Sequence, residues 1–186
     1  MHDIERRAFI KGAALGTLAF SVGGAEVMLT PRQARAANVA LRTLTAERAA
    51  TLEAAGEALV PGAKEAGIVN FVDQQISASA EDALLQVRIL NVRPPYANFY
   101  RAALGAIDGA AEKTKGKKFA ALTADEQHDF IGQMRINKID GWQGPPGPFI
   151  FNVLRSDAVD VVYNTMDGYA MLGVPYMPHI APTKKW

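Results

Sequence analysis

The side chains able to do chemistry in this chain are few and scattered. Three histidines, His2, His128 and His179, supply all of its imidazoles, and no spacing among them suits a metal ion. His128 lies between Gln127 and Asp129, on what reads as the polar face of a helix. Ser156-Asp157 and Glu81-Asp82 have the composition of helix starts rather than of a hydrolase triad or an acid–base pair. No glycine-rich dinucleotide fingerprint and no phosphate-binding loop occurs. The chain has no cysteine, which excludes disulfides, thiolate metal sites, iron–sulfur clusters and thioether-linked haem. Catalysis, a bound cofactor and a metal are therefore not expected from this chain.

Two segments carry a different kind of chemistry, that of recognition. At the N-terminus, Arg6-Arg7-Ala8-Phe9-Ile10-Lys11 places an arginine pair, Phe9 and Lys11 ahead of the apolar, glycine-rich stretch Gly12 to Ala25. Ala34-Arg35-Ala36 then offers the small-x-small pattern of a signal-peptidase site, with Ala34 and Ala36 as its small residues. This order is an export signal, and the arginine pair points to the twin-arginine route, which carries folded passengers. Glu5 stands where that signal prefers Ser or Thr. A membrane-spanning helix needs about 20 apolar residues, and Gly12 to Ala25 is shorter, leaving an uncleaved short anchor as the alternative to cleavage after Ala36.

The C-terminal segment Gly168 to Pro182 packs aromatics, methionines and prolines together, and Trp186 ends the chain. Proline pre-stiffens such a segment, so docking costs it little entropy. Tyr169, Tyr176, Met177, His179 and Trp186 are of the types that interfaces use, although the first half of the tail could equally fold onto its own domain. Trp142, with Pro145 and Pro146, either joins that surface or caps the local core.

Export would leave residues 37–186 as one domain, long enough to enclose a core. The whole chain has 20 Lys+Arg and 19 Asp+Glu. Five basic residues (Arg6, Arg7, Lys11, Arg32, Arg35) and three acidic ones (Asp3, Glu5, Glu26) precede Ala37, so the remainder carries 15 basic and 16 acidic groups. That balance excludes the basic excess of a nucleic-acid binder.

The elements that must position these residues are mainly α: a single irregular helical domain with an extended, proline-rich C-terminal tail. Thr45 is placed to cap a helix carrying Leu52, Ala55 and Leu59 up to Pro61. A second helix is predicted around Ile68–Ile76 and a third over Glu81–Val92. The clearest covers Tyr96 to Glu112, where Tyr96, Phe99, Tyr100, Ala103, Leu104 and Ile107 form one stripe. Thr123 to Glu126 is a capping box ahead of Phe130, Ile131 and Met134, and Ala158 to Tyr163 reads as a short helix. Lys113 to Lys118 reads as a solvated basic loop, and the prolines and glycines of Trp142 to Pro148 as irregular backbone.

The order of these pieces resembles the gluconate 2-dehydrogenase subunit 3 family. The matching residues are the leader Arg6 to Lys11, Leu44-Thr45-Ala46-Glu47-Arg48 with Leu59-Val60-Pro61, and Ala63 to Asp73. Phe99-Tyr100-Arg101, Phe119 to Thr123, Gly141-Trp142, Ser156-Asp157-Ala158-Val159, Gly168-Tyr169 and Gly173-Val174-Pro175-Tyr176 complete the set. The segment from Pro61 to Ala66 is shorter than in many members. The resemblance implies a small, non-catalytic subunit in a heterodimer with a flavoprotein dehydrogenase large subunit. FAD and catalysis would lie in that partner, which oxidises sugars, polyols or sugar acids. A cytochrome c subunit with haem is often the third member. It also implies a periplasmic location, indirect membrane association through the complex, and export of the large subunit in company with this chain. Alternatives are a tail that also shapes the partner's substrate site, and a standalone periplasmic chaperone or binding protein.

Overall fold

The structure, a computed structural model, describes residues 16–174. Local signals start most of its helices. Thr45 caps α2 (Ala46–Leu59) by accepting from the Arg48 N–H, and Thr123 forms a full capping box with Glu126 at the start of α7 (Ala124–Arg135). Before α2 lie two features of the N-terminal segment. Strands β1 (Leu18–Val22) and β2 (Ala25–Leu29) pair antiparallel, with Val22 opposite Ala25 and Leu18 opposite Leu29. The connecting Gly23-Gly24 has positive φ at both positions, as the favoured two-residue hairpin turn requires. The described part of the apolar leader stretch is thus a hairpin. Helix α1 (Pro31–Ala36) follows, with Thr30 as its cap.

Helix α3 (Ala63–Ala66) and helix α4 (Ile68–Ser77) come next, joined through Gly67 at φ +84°. Most of α4 is buried, as its dense apolar face predicts. Helix α6 (Tyr96–Lys115) buries every residue of the predicted stripe from Tyr96 to Ile107. It runs three residues beyond Glu112 to a left-handed Gly116 cap, so half of the expected basic loop is helix. A 3-10 turn (Phe119–Ala121) leads to α7, and α8 (Gly147–Tyr163) and α9 (Met166–Met171) close the described chain. Helix α2 sits centrally, touching α3, α4, α6, α7, α8 and the 3-10 turn. Edge-on ring pairs Phe99–Tyr100, Phe99–Phe149 and Phe119–Phe130 fill the layers between them.

Three expectations need correction. Glu81–Val92 is not one helix: only α5 (Gln86–Ile89) is helical, with Leu85 and Val87 buried while Leu84 and Ile89 face outward. Distant side chains have taken its backbone donors, for Gln75 accepts from the Leu84 N–H at 2.6 Å and Asp157 from the Gln86 N–H at 3.5 Å. Asp82 accepts from the Ser79 hydroxyl rather than opening a helix. The short helix at Ala158–Tyr163 is the end of the 17-residue α8, so Ser156 and Asp157 stand mid-helix. The Gly-Pro loop hid its start, because Pro148 falls in the first turn, where a missing N–H costs no intrahelical bond. Finally, the first residues of the tail segment are helical, Thr165 accepting from the Gly168 N–H at 3.0 Å to start α9, while its proline-rich part lies outside the described residues.

Candidate docking interface

The deeply buried carboxylates come first, since they are where acid–base chemistry would sit. Asp73 accepts from three successive backbone N–H groups, Arg42 at 2.7 Å, Thr43 at 2.9 Å and Leu44 at 2.7 Å. It thereby fixes the loop that leads into α2. Asp108 accepts from the Thr51 hydroxyl of α2 at 2.7 Å and the Phe119 N–H at 3.2 Å. Asp157, fully buried, accepts from the Tyr100 hydroxyl at 2.5 Å and more weakly from Gln86. Glu57 caps α3 by accepting from the Gly62 and Lys64 N–H groups. Each carboxylate holds a non-helical segment or a helix crossing, the satisfied arrangement expected of buried polar groups.

Burial dominates the electrostatics of the Asp157 pair. It lifts the Asp157 carboxyl to about 7, against the lowering effect of the Tyr100 bond, and lifts the Tyr100 hydroxyl well above its ordinary value. One turn on, Asp160 is also raised by burial. It lines a cleft of about 580 Å³ with Met28, Leu84 and Thr165, and an adjoining one of about 490 Å³ with Arg155 and Tyr163. Among the described residues, no group of three or more histidines and carboxylates is placed to hold a metal ion. No described helix is long and apolar enough to cross a membrane.

What the surface offers is apolar. Gly168 is buried against the Val162 and Tyr163 backbone, where a Cβ would overlap, and this anchors α9 to the end of α8. Four apolar side chains here are turned outward: Met166 is 53 % exposed, Met171 69 %, Leu172 58 % and Val174 49 %. Val159 adds a further exposed apolar group on α8. Met166 carried no signal in the sequence, whereas Val159 lay in a piece that matched the family and Met171, Leu172 and Val174 lay in the tail segment marked by its composition.

Among the described residues, the predicted interface residues are not brought together. The Trp142 ring is half-buried against the core and its indole N–H donates to the Pro145 carbonyl at 2.8 Å, closing the loop on itself. Pro145 is half-buried, and exposed Pro146 caps the start of α8. Half-buried Tyr169 lies beyond the other end of α8. Helix α8, 17 residues and about 25 Å long at ~1.5 Å each, runs between them. Ala34 and Ala36 lie in α1, with Ala34 fully buried. His128 is exposed on α7, as expected. Arg6, Arg7, Phe9, Lys11, Tyr176, Met177, His179 and Trp186 lie outside the described residues.

Comparison with known proteins adds one finding. A family model described as Gluconate 2-dehydrogenase subunit 3 matches residues 46–175, from the first residue of α2 to just beyond α9. No curated protein and no solved structure matches.

Proposed function

The chain belongs to the gluconate 2-dehydrogenase subunit 3 family, an accessory subunit of a dehydrogenase complex, and we propose that it is the non-catalytic member that docks on and escorts a flavoprotein large subunit. The observation that carries this reading is the apolar end of α9. Met171, Leu172 and Val174 stand exposed where the chain runs on into its aromatic, proline-rich tail. Exposed apolar side chains gathered at one end are what a partner buries. The buried carboxylates, bonded to the domain's own backbone and side chains, serve its architecture.

Catalysis and FAD then reside in the partner, a sugar, polyol or sugar-acid dehydrogenase, and a haem subunit can complete the complex. The Arg6-Arg7 leader takes both folded chains to the periplasm, and membrane association is indirect. Replacing Arg6 and Arg7 by lysine should strand this chain and the flavoprotein together in the cytoplasm. Normal export of the flavoprotein in that strain would refute the escort role. Co-purification on a tagged copy of this chain should yield flavin absorption near ~450 nm; a colourless chain alone would refute the partner class.

A further inference from the structure

We infer that helix α1 is a permanent part of the domain, so that processing of the leader falls before Thr30 and not at the small-x-small motif Ala34-Arg35-Ala36. Most of that motif is built into the fold: Ala34 is buried and Arg35 is paired, while Ala36 is exposed. Thr30 and Gln33 form a reciprocal capping box, with Thr30 N–H to Gln33 Oε1 at 2.9 Å and Gln33 N–H to Thr30 Oγ1 at 3.1 Å. Ala34 and Pro31 are buried, and the helix packs on α3 and α4.

The fit is close enough to constrain the other side. A Cβ on Gly67 would overlap the Pro31 carbonyl, so the backbone between α3 and α4 is shaped to receive this helix. Arg35, the middle residue of the motif, pairs with Glu53 of α2 and lies 3.8 Å from Glu65. Lys64 joins them through Glu53 at 3.0 Å, in a network that spans three elements and in which Arg35 and Glu53 are half-buried.

The Ala36–Ala37 bond is held by backbone hydrogen bonds, although Ala36 and Ala37 are themselves exposed. The Ala37 N–H donates to Gln33 O at 2.9 Å, Asn38 N–H to Arg35 O at 2.9 Å and Val39 N–H to Ala34 O at 3.0 Å. Hydrolysis here would require these bonds to open and Ala34 to leave the core before water could add across the amide. The loss would uncover the Gly67 backbone and leave Glu53 without its arginine.

The turn of the hairpin ahead of it is different, although Phe20 of β1 is itself buried. Ser21 to Met28 are all exposed, and its turn reads Gly23-Gly24-Ala25, a second small-x-small sequence. A peptidase that needs small residues in an accessible turn finds them there.

Intact-mass measurement and N-terminal sequencing of the exported chain test this, a measurement that rests on the export proposed above. The expected mature chain begins at or before Thr30; one that begins within α1 or at Ala37 overturns the inference. Hydrogen exchange on the full chain is independent of export, so failure of the two readings can be told apart. The amides of Ala34, Ala37 and Val39 should exchange within about tenfold of those in α2. Exchange at the rate of an unfolded chain overturns it.

Discussion

The Tyr100 hydroxyl donates a 2.5 Å hydrogen bond to the Asp157 carboxyl, tying the first turns of α6 to the middle of α8 in a site closed to water. Among the described residues, the other donor to Asp157 is the Gln86 N–H at 3.5 Å, from α5. Removing the hydroxyl by Tyr100→Phe leaves a buried carboxyl with one weak partner. The expected cost is about 1–3 kcal/mol, read as a lower urea midpoint with unchanged slope.

The same pair sets a pH dependence. In the fold Asp157 keeps its proton up to about pH 7 because burial disfavours the charge, whereas the unfolded chain loses it near pH ~4. Between those values the folded state binds the additional proton. Stability is therefore full below pH ~4, falls by at most roughly 1.4 kcal/mol per pH unit, and levels off above about 7. Asp160, also raised, acts in the same direction, and exposed Glu126, lowered first by its bond to the Thr123 backbone, acts in the opposite one. Urea midpoints at pH 5 and pH 8 should differ in the native chain and converge in Asp157→Asn.

Asp73 supports a loop rather than a crossing. Asp73→Ala leaves three backbone N–H groups at Arg42, Thr43 and Leu44 without their acceptor. A loss of about 3 kcal/mol or more is expected, together with faster amide exchange at those three positions. Asp73→Asn keeps one carbonyl acceptor and should cost visibly less.

Two glycines give opposite outcomes. Gly67→Ala meets both a positive φ and the Pro31 carbonyl, and should destabilise by at least ~2 kcal/mol. Gly109→Ala, within α6 and with open space around the added methyl, should stabilise by up to ~1 kcal/mol. Thermal melts of the two variants check the pair.

The docking surface is tested by charge. Met171→Glu with Leu172→Glu alters side chains that are mostly exposed, so the melting temperature of this chain should hold. Capture of the flavoprotein should fall at least about tenfold, a loss of ~1.4 kcal/mol in binding. Undiminished capture would move the interface elsewhere on the domain.

Sequence by itself determined the parts whose cause is local. Thr45 and Thr123 cap their helices because the interaction spans three residues, and the stripe from Tyr96 to Ile107 is buried because helical periodicity puts it on one face. Family membership was legible for a related reason, since it rests on the order of such short pieces. What only the tertiary structure decided depends on partners far along the chain. Asp157 reads as a helix start until Tyr100, 57 positions away, is seen to hold it inside α8. Leu84 leaves the predicted third helix because Gln75 accepts its N–H, and what remains of that helix starts only at Gln86, whose N–H Asp157 accepts. Ala34-Arg35-Ala36 reads as a cleavage motif until Gly67 and Glu53 close around it. Periodicity records which side chains avoid water; it carries no record of which distant donor or carbonyl will meet them once the chain has folded.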